Sequence, residues 1–200
     1  MEVINTSSER IRHLPTADRS VRLENRSALL RRWSLLRSGA LDDPRLLNRW
    51  FPGQRDLLDV LHALTREEVE QLADCGTPLF GLQFRCTDFS LDACATYTIT
   101  DSLELQSVQE SFLALSARLD AVRTSMQQAC LIFNLAHSEA GWLQRYCPQE
   151  LQLLARDPSM VLTSLASAEY FIAAATRTMT SVERTVLGSV SRRSRWGLMT

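Results

Sequence analysis

"ALTREEVEQLADCGTPLFGLQF", residues 63–84, holds a helix start, a helix stop and an extended run within one short stretch. Thr65 with Glu68 three positions on is a T-x-x-E capping box, in which each side chain satisfies the other residue's free backbone N–H. Val69 and Leu72 form the side that such a helix buries, and Gly76 is expected to break it. "PLFGLQF" then alternates loosely, and Leu79, Phe80, Leu82 and Phe84 predict a partly buried strand. A second extended stretch, "CATYTIT" (94–100), either pairs with this strand or stays a loop.

Upstream, residues 1–24 read as a mobile arm. "NRSALLRRWSLLRSG" (25–39) predicts a helix with Ser27 as N-cap, Leu29, Leu30, Trp33 and Leu36 as its apolar side, and Gly39 as its stop. "DPRLLNRWF" predicts a short helix from Asp43-Pro44 to the neighbourhood of Pro52-Gly53. "QRDLLDVLHAL" predicts another, with Leu57, Leu58, Val60, Leu61 and Leu64 apolar.

The helix-turn-strand element recurs. A shift of 82 residues lays "WFPGQRDLLDVLHALTREEVEQLADCGTPLF" on "IFNLAHSEAGWLQRYCPQELQLLARDPSMVL". Phe51 falls on Phe133, Leu61 on Leu143, Glu68 on Glu150, and Leu72-Ala73 on Leu154-Ala155. Pro148 takes the first helical position and Glu150 the third, so both helices start in the same register. Two readings compete: a duplicated fold unit, or chance likeness between amphipathic helices. The matched helix starts favour duplication.

Between the copies, Leu105, Val108, Phe112, Leu115, Leu119, Val122, Met126, Ala129 and Phe133 alternate spacings of three and four. No Gly or Pro interrupts residues 103–137, so an unbroken helix of roughly thirty residues is expected over 103–136. Its stripe packs either against the chain's own helices or against another subunit. In the second case Leu105, Val108, Phe112, Leu115, Leu119, Val122 and Met126 are the oligomerisation residues. "SAEYFIAAATRTMTSVERTVLG" (167–188) predicts a helix ended by Gly188, and residues 189–200 form a basic tail. The expected fold is mainly α, with units over 25–102 and 103–188, a long central helix and one short β-hairpin.

The net charge of −1 conceals a gradient. Residues 1–50 hold ten Arg against six acids, residues 51–100 three against eight, and the stretch from Arg177 onward five against one. Every basic residue is Arg, whose fork suits phosphate and base edges. Arg192, Arg193 and Arg195 beside Trp196 form either a solvated end or a phosphate-gripping arm. No apolar run reaches the length of a membrane span, and the N-terminus lacks a signal's apolar core. Five cysteines without metal spacing suit a reduced, cytoplasmic protein with no metal or other cofactor.

His13, His62 and His137 are scattered, and no phosphate loop or nucleophile elbow is present. Asp42-Asp43 and Glu67-Glu68 fit helix starts better than catalytic pairs. No catalytic residue is expected.

The segment "LHALTREEVEQLADCGTPLFGLQFR" resembles the central part of the FlhD subunit of the bacterial flagellar master regulator. In that family a Gly-started helix leads through an "ALT" turn into a second helix ending "LA", then a short apolar run closing on "F-R-F". Gly53, Ala63-Leu64-Thr65, Leu72-Ala73 and Phe84 hold those places, and the second copy follows more faintly. The resemblance implies a transcriptional activator subunit that works in an oligomer with a second, FlhC- or FlhD-like subunit on promoter DNA. The basic residue before the family's Gly is replaced by Phe51-Pro52, with Arg49 and Arg55 nearby, and FlhC's four-Cys zinc site has no counterpart. The DNA-binding residues expected on this basis are Arg45, Arg49, Arg55, Arg192, Arg193 and Arg195. The alternative is a helical adaptor or anti-activator without DNA contact, such as a cytosolic secretion-machine component.

Overall fold

The computed structural model describes residues 16–82 and 90–191, which form eleven helices and one two-stranded antiparallel sheet. The mainly α expectation is met. The first helix, α1 (Thr16–Arg37), begins well before the expected start at residue 25. Residues 16–24 are therefore helix and not arm, while residues 1–15 lie outside the described part. Three residues of the inward face of α1 are polar, which hid its length from a hydrophobic reading. Arg22, Asn25 and Arg32 are buried beside Val21, Ala28, Leu29 and Leu35. Asn25 donates to the carbonyls of Cys75 and Thr77 and accepts from the amide of Leu79 at 2.8 Å, standing in for backbone partners that this loop lacks. Ser27, the expected N-cap, is an exposed mid-helix residue. Gly39 lies within the turn after α1 at φ +68, a backbone region that glycine enters without strain.

Three short helices follow: α2 (Pro44–Trp50), α3 (Arg55–Ala63) and α4 (Arg66–Ala73). Asp43 caps α2 by accepting from the Arg45 amide, and the Thr65–Glu68 capping box starts α4 in both directions. The chain leaves the helix at Asp74, two residues before Gly76. Strand β1 (Phe80–Leu82) is buried along its whole length rather than alternating; Phe84 lies outside the described residues. Residues 91–96 form helix α5 (Leu91–Thr96), so "CATYTIT" supplies no strand.

The expected thirty-residue helix is two helices, α6 (Ser102–Thr124) and α7 (Met126–Phe133). Ser125 divides them in an extended conformation, and its hydroxyl accepts from the Gln128 amide to restart the helix. A serine cap broke what the absence of Gly and Pro had suggested was continuous. Then come α8 (His137–Leu143), α9 (Pro148–Leu154), β2 (Leu162–Ser164), α10 (Ala168–Thr176) and α11 (Ser181–Val190). The single helix expected over 167–188 is thus two, divided before the Thr180–Glu183 capping box. Gly188 is buried inside α11 and does not end it.

The repeat extends further than the sequence comparison. Helices α2, α3, α4 and strand β1 correspond to α7, α8, α9 and β2; the two strands lie 82 residues apart. The long helices correspond too, α1 to α6, at a shift of 86, because the five residues 39–43 shrink to Ser125 in the second copy. Strand β1 pairs with its own counterpart. Phe80 faces Ser164, Gly81 faces Thr163 and Leu82 faces Leu162, so the pairing is centred on two equivalent residues. An approximate two-fold axis therefore passes between Gly81 and Thr163. At this crossing a Cβ on Gly81 would sit 2.9 Å from the Leu165 side chain, so any larger residue would require that side chain to shift. The chain is one core shared by two interlocked copies, with Leu72 and its counterpart Leu154 both at 0% exposure.

Candidate functional site

The axis carries two ion pairs that mirror each other, both with a buried arginine, Glu110 buried and Glu24 half-buried. Arg118 on α6 donates to both oxygens of Glu24 on α1, at 3.0 and 2.8 Å. Arg32 on α1 reaches both oxygens of Glu110 on α6, at 3.1 and 3.2 Å. The shift of 86 that relates the long helices relates Arg32 to Arg118 and Glu24 to Glu110. Each guanidinium also donates to the first carbonyl of the other copy's strand, Arg32 to Leu162 and Arg118 to Phe80. Each lies over an aromatic ring, Arg32 on Phe80 at 4.6 Å and Arg118 on Phe133 at 4.7 Å. Both arginine side chains are 1% exposed. Removing one partner of such a pair would leave the other's charge desolvated and unpaired.

A second network ties α1 to α11, the first and last described helices. Arg22 pairs with Asp18 and Asp74, and Arg184 on α11 pairs with Asp74 at 3.1 Å. Burial works to lower the Arg22 pKa, but its two carboxylate partners outweigh this and raise it. Beside this network the Cys75 thiol is pushed up by burial, as is the Tyr170 hydroxyl, which donates to the Leu72 carbonyl. Both groups are held neutral, which suits packing rather than nucleophilic chemistry.

The arginines expected to meet DNA divide. Arg45 and Arg55 are exposed at the starts of α2 and α3. Arg49 is drawn inward, its side chain 10% exposed and 3.6 Å from Glu104 at the start of α6. Arg192, Arg193 and Arg195 lie outside the described residues. Of the stripe expected to drive assembly, Val108, Leu115, Leu119 and Val122 are buried in the chain's own core, Phe112 and Met126 pack against it, and Leu105 is exposed. The intramolecular reading of the seam fits this burial, since α6 packs against α7, α8, α9 and β1. Sequence reasoning missed the buried Arg–Glu pairs; the recurrence of Glu and Arg eight residues apart on both long helices was the available signal.

Between α2 and the α5–α6 junction lies a polar cleft of about 600 Å³, lined by Asp43, Arg45, Arg49, Tyr97, Asp101 and Glu104 among others. The Tyr97 hydroxyl donates to Glu104 at 2.5 Å, and this bond to a carboxylate raises the Tyr97 pKa. Among the described residues no group of three or more His, Cys, Asp or Glu side chains is placed to hold a metal, and no helix is long and apolar enough to cross a membrane. No family model, curated protein or solved structure matches this chain.

Proposed function

We propose that the chain is a non-enzymatic subunit of a transcription-activating complex. It pairs with a second regulator subunit and meets promoter DNA through Arg45, Arg55 and the terminal Arg192, Arg193 and Arg195. The observation that supports this reading most is the duplication. The segment that resembles FlhD occurs twice around an approximate two-fold axis, so one chain offers the two-fold framework that DNA-binding dimers obtain by pairing. The phosphate contacts would come from exposed arginines, whose contribution is electrostatic and independent of sequence.

The test is fluorescence anisotropy of the full chain with DNA from upstream of its own gene, over a range of salt, alone and with the products of adjacent genes. The expected result is binding whose log K falls linearly with log salt. An absence of binding in every combination would overturn the DNA role. A second reading, an adaptor without DNA contact, is favoured by how many arginines are already engaged: Arg22, Arg26, Arg32, Arg49, Arg118 and Arg184 all hold carboxylates within the fold. On that reading an adjacent gene product co-purifies with the chain while DNA does not.

A further inference from the structure

A pocket of about 330 Å³ lies between the middle of α1, the start of α4 and the first turns of α6. Leu30, Trp33 and Leu35 form its apolar wall, and the guanidiniums of Arg31 and Arg66 line it as well. Among the described residues no carboxylate lines it. Both guanidiniums keep open donors. Arg31 uses Nη1 to reach the Gln106 carbonyl at 3.2 Å. The Arg66 side chain is 64% exposed and meets Glu70 through Nε, at 3.5 Å, while Arg26 holds the same carboxylate oxygen at 2.9 Å. The remaining nitrogens of Arg31 and Arg66 have no partner among the described residues and, unlike those of Arg49, stay open to solvent. The pocket belongs to the first copy alone. The shifts relating the copies put Ala117 and Leu119 at the places of Arg31 and Trp33, and Pro148 at the place of Arg66, so the second copy has neither guanidinium nor the indole.

Two guanidinium forks without a competing carboxylate in the lining suit a doubly charged oxyanion, and Arg meets phosphate through parallel N–H···O bonds. The apolar wall with its indole suits a flat ring, since nucleobases stack on aromatic side chains. The Gln106 side chain, which also lines the pocket, carries a donor and an acceptor together, the combination that matches N6 and N7 of adenine. We propose that this pocket binds an adenine mononucleotide, its phosphate held by Arg31 and Arg66 and its base against Leu30 and Trp33 beside Gln106. The volume lies at the small end of ligand sites, which fits a single nucleotide rather than a strand. The proposal stands on the pocket alone and does not depend on the DNA-binding reading.

The test is an amide NMR titration of the full chain with AMP, with adenosine, ribose 5-phosphate, inorganic phosphate and GMP as controls. AMP should give saturable shifts centred on residues around 30–37, 64–67 and 103–107. Adenosine, ribose 5-phosphate and phosphate should each bind about tenfold more weakly or less, and GMP should bind more weakly than AMP. Arg66→Gln, a change at an exposed position, should weaken AMP binding about tenfold or more, the loss of one good charge-assisted hydrogen bond, and leave adenosine binding unchanged. Gln106→Ala should bring AMP and GMP to similar affinity. Should R66Q fail to fold, the adenosine comparison on the natural chain decides alone. No saturable shift with AMP, shifts centred elsewhere, or equal binding of adenosine or inorganic phosphate would overturn the proposal. So would a folded R66Q that binds AMP as the natural chain does, or a Q106A that keeps the preference for AMP.

Discussion

The two copies agree inside and disagree outside. Buried positions correspond in both chemistry and place: Leu61 with Leu143, Val69 with Leu151, Leu72 with Leu154, and Arg32–Glu110 with Arg118–Glu24. On the surface the helical pair α3–α4 carries Asp56, Asp59, Glu67, Glu68 and Glu70 against Arg55 and Arg66. The matching pair α8–α9 carries only Glu139 and Glu150 against Arg145. The shared core requires both copies to keep their packing, whereas each surface is free to change. Function should therefore lie where the copies differ, and stability where they match.

The sharpest test of that contrast is the pair of mirrored ion pairs. Arg32→Met should cost about 3–5 kcal/mol, the effect of leaving the buried Glu110 carboxylate without its partner, and Arg118→Met somewhat less because Glu24 is half-buried. Replacing Glu24 together with Arg118 by apolar residues should recover most of the loss. Urea denaturation of these variants beside the natural chain measures this. A cost confined to one pair would break the equivalence of the copies.

Next in size, Leu72→Ala and Leu154→Ala should each cost about 2–5 kcal/mol by the same measurement, since each leaves a cavity in the shared core. Leu115→Asp belongs with them. It should unfold the chain, seen as loss of circular dichroism, and not merely change its oligomeric size, because Leu115 is at 0% exposure within the protein.

These residues mark what the sequence made legible. Caps such as Thr65–Glu68 and Asp43 act through neighbours one to three positions away, so their patterns are visible in a line of letters. The second copy was visible wherever apolar spacing carried it, from Phe133 to Leu154. What stayed hidden was polar and long-range. The inward Arg22, Asn25 and Arg32 disguised the start of α1, and the four-residue difference between the shifts of 82 and 86 concealed the correspondence of the long helices. The pairing of β1 with β2 joins segments 82 residues apart, beyond the reach of any local signal. The cleft depends on Arg49 meeting Glu104, an approach that no spacing encodes.

A smaller effect separates the helix starts. Thr65 accepts from the Glu68 amide, while Cys147, its counterpart, makes no side-chain cap bond to the helix it begins. Thr65→Ala should cost about 1 kcal/mol, and Cys147→Ser should stabilise by up to a similar amount, read from urea midpoints. The reciprocal half of the box is common to both copies. Backbone hydrogen bonds from Thr65 and Cys147 hold the pKa values of Glu68 and Glu150 below the usual carboxylate value. A carboxylate depressed in the folded state lends stability that is present above its unfolded pKa and is lost as pH falls through the folded one. Glu68→Gln and Glu150→Gln should therefore lose their deficits against the natural chain on acidification, in parallel.

The smallest expected effect tests the surface half of the comparison. Arg192, Arg193 and Arg195 follow the second copy, whereas residues 110–113, which lie 82 positions earlier, contain no Arg. If the tail grips phosphate, replacing all three by Gln should leave the urea midpoint and oligomeric size unchanged. It should reduce the slope of log K against log salt by roughly one unit for each phosphate no longer neutralised, and weaken binding about equally across DNA sequences. Trp196→Ala, tested beside it, should lower affinity without changing the slope, because stacking on a base releases no counterion. A triple variant with the natural affinity and slope would remove the tail from the interface. The DNA contacts would then rest on Arg45 and Arg55 alone, and with the five carboxylates of α3–α4 close by, the adaptor reading would gain.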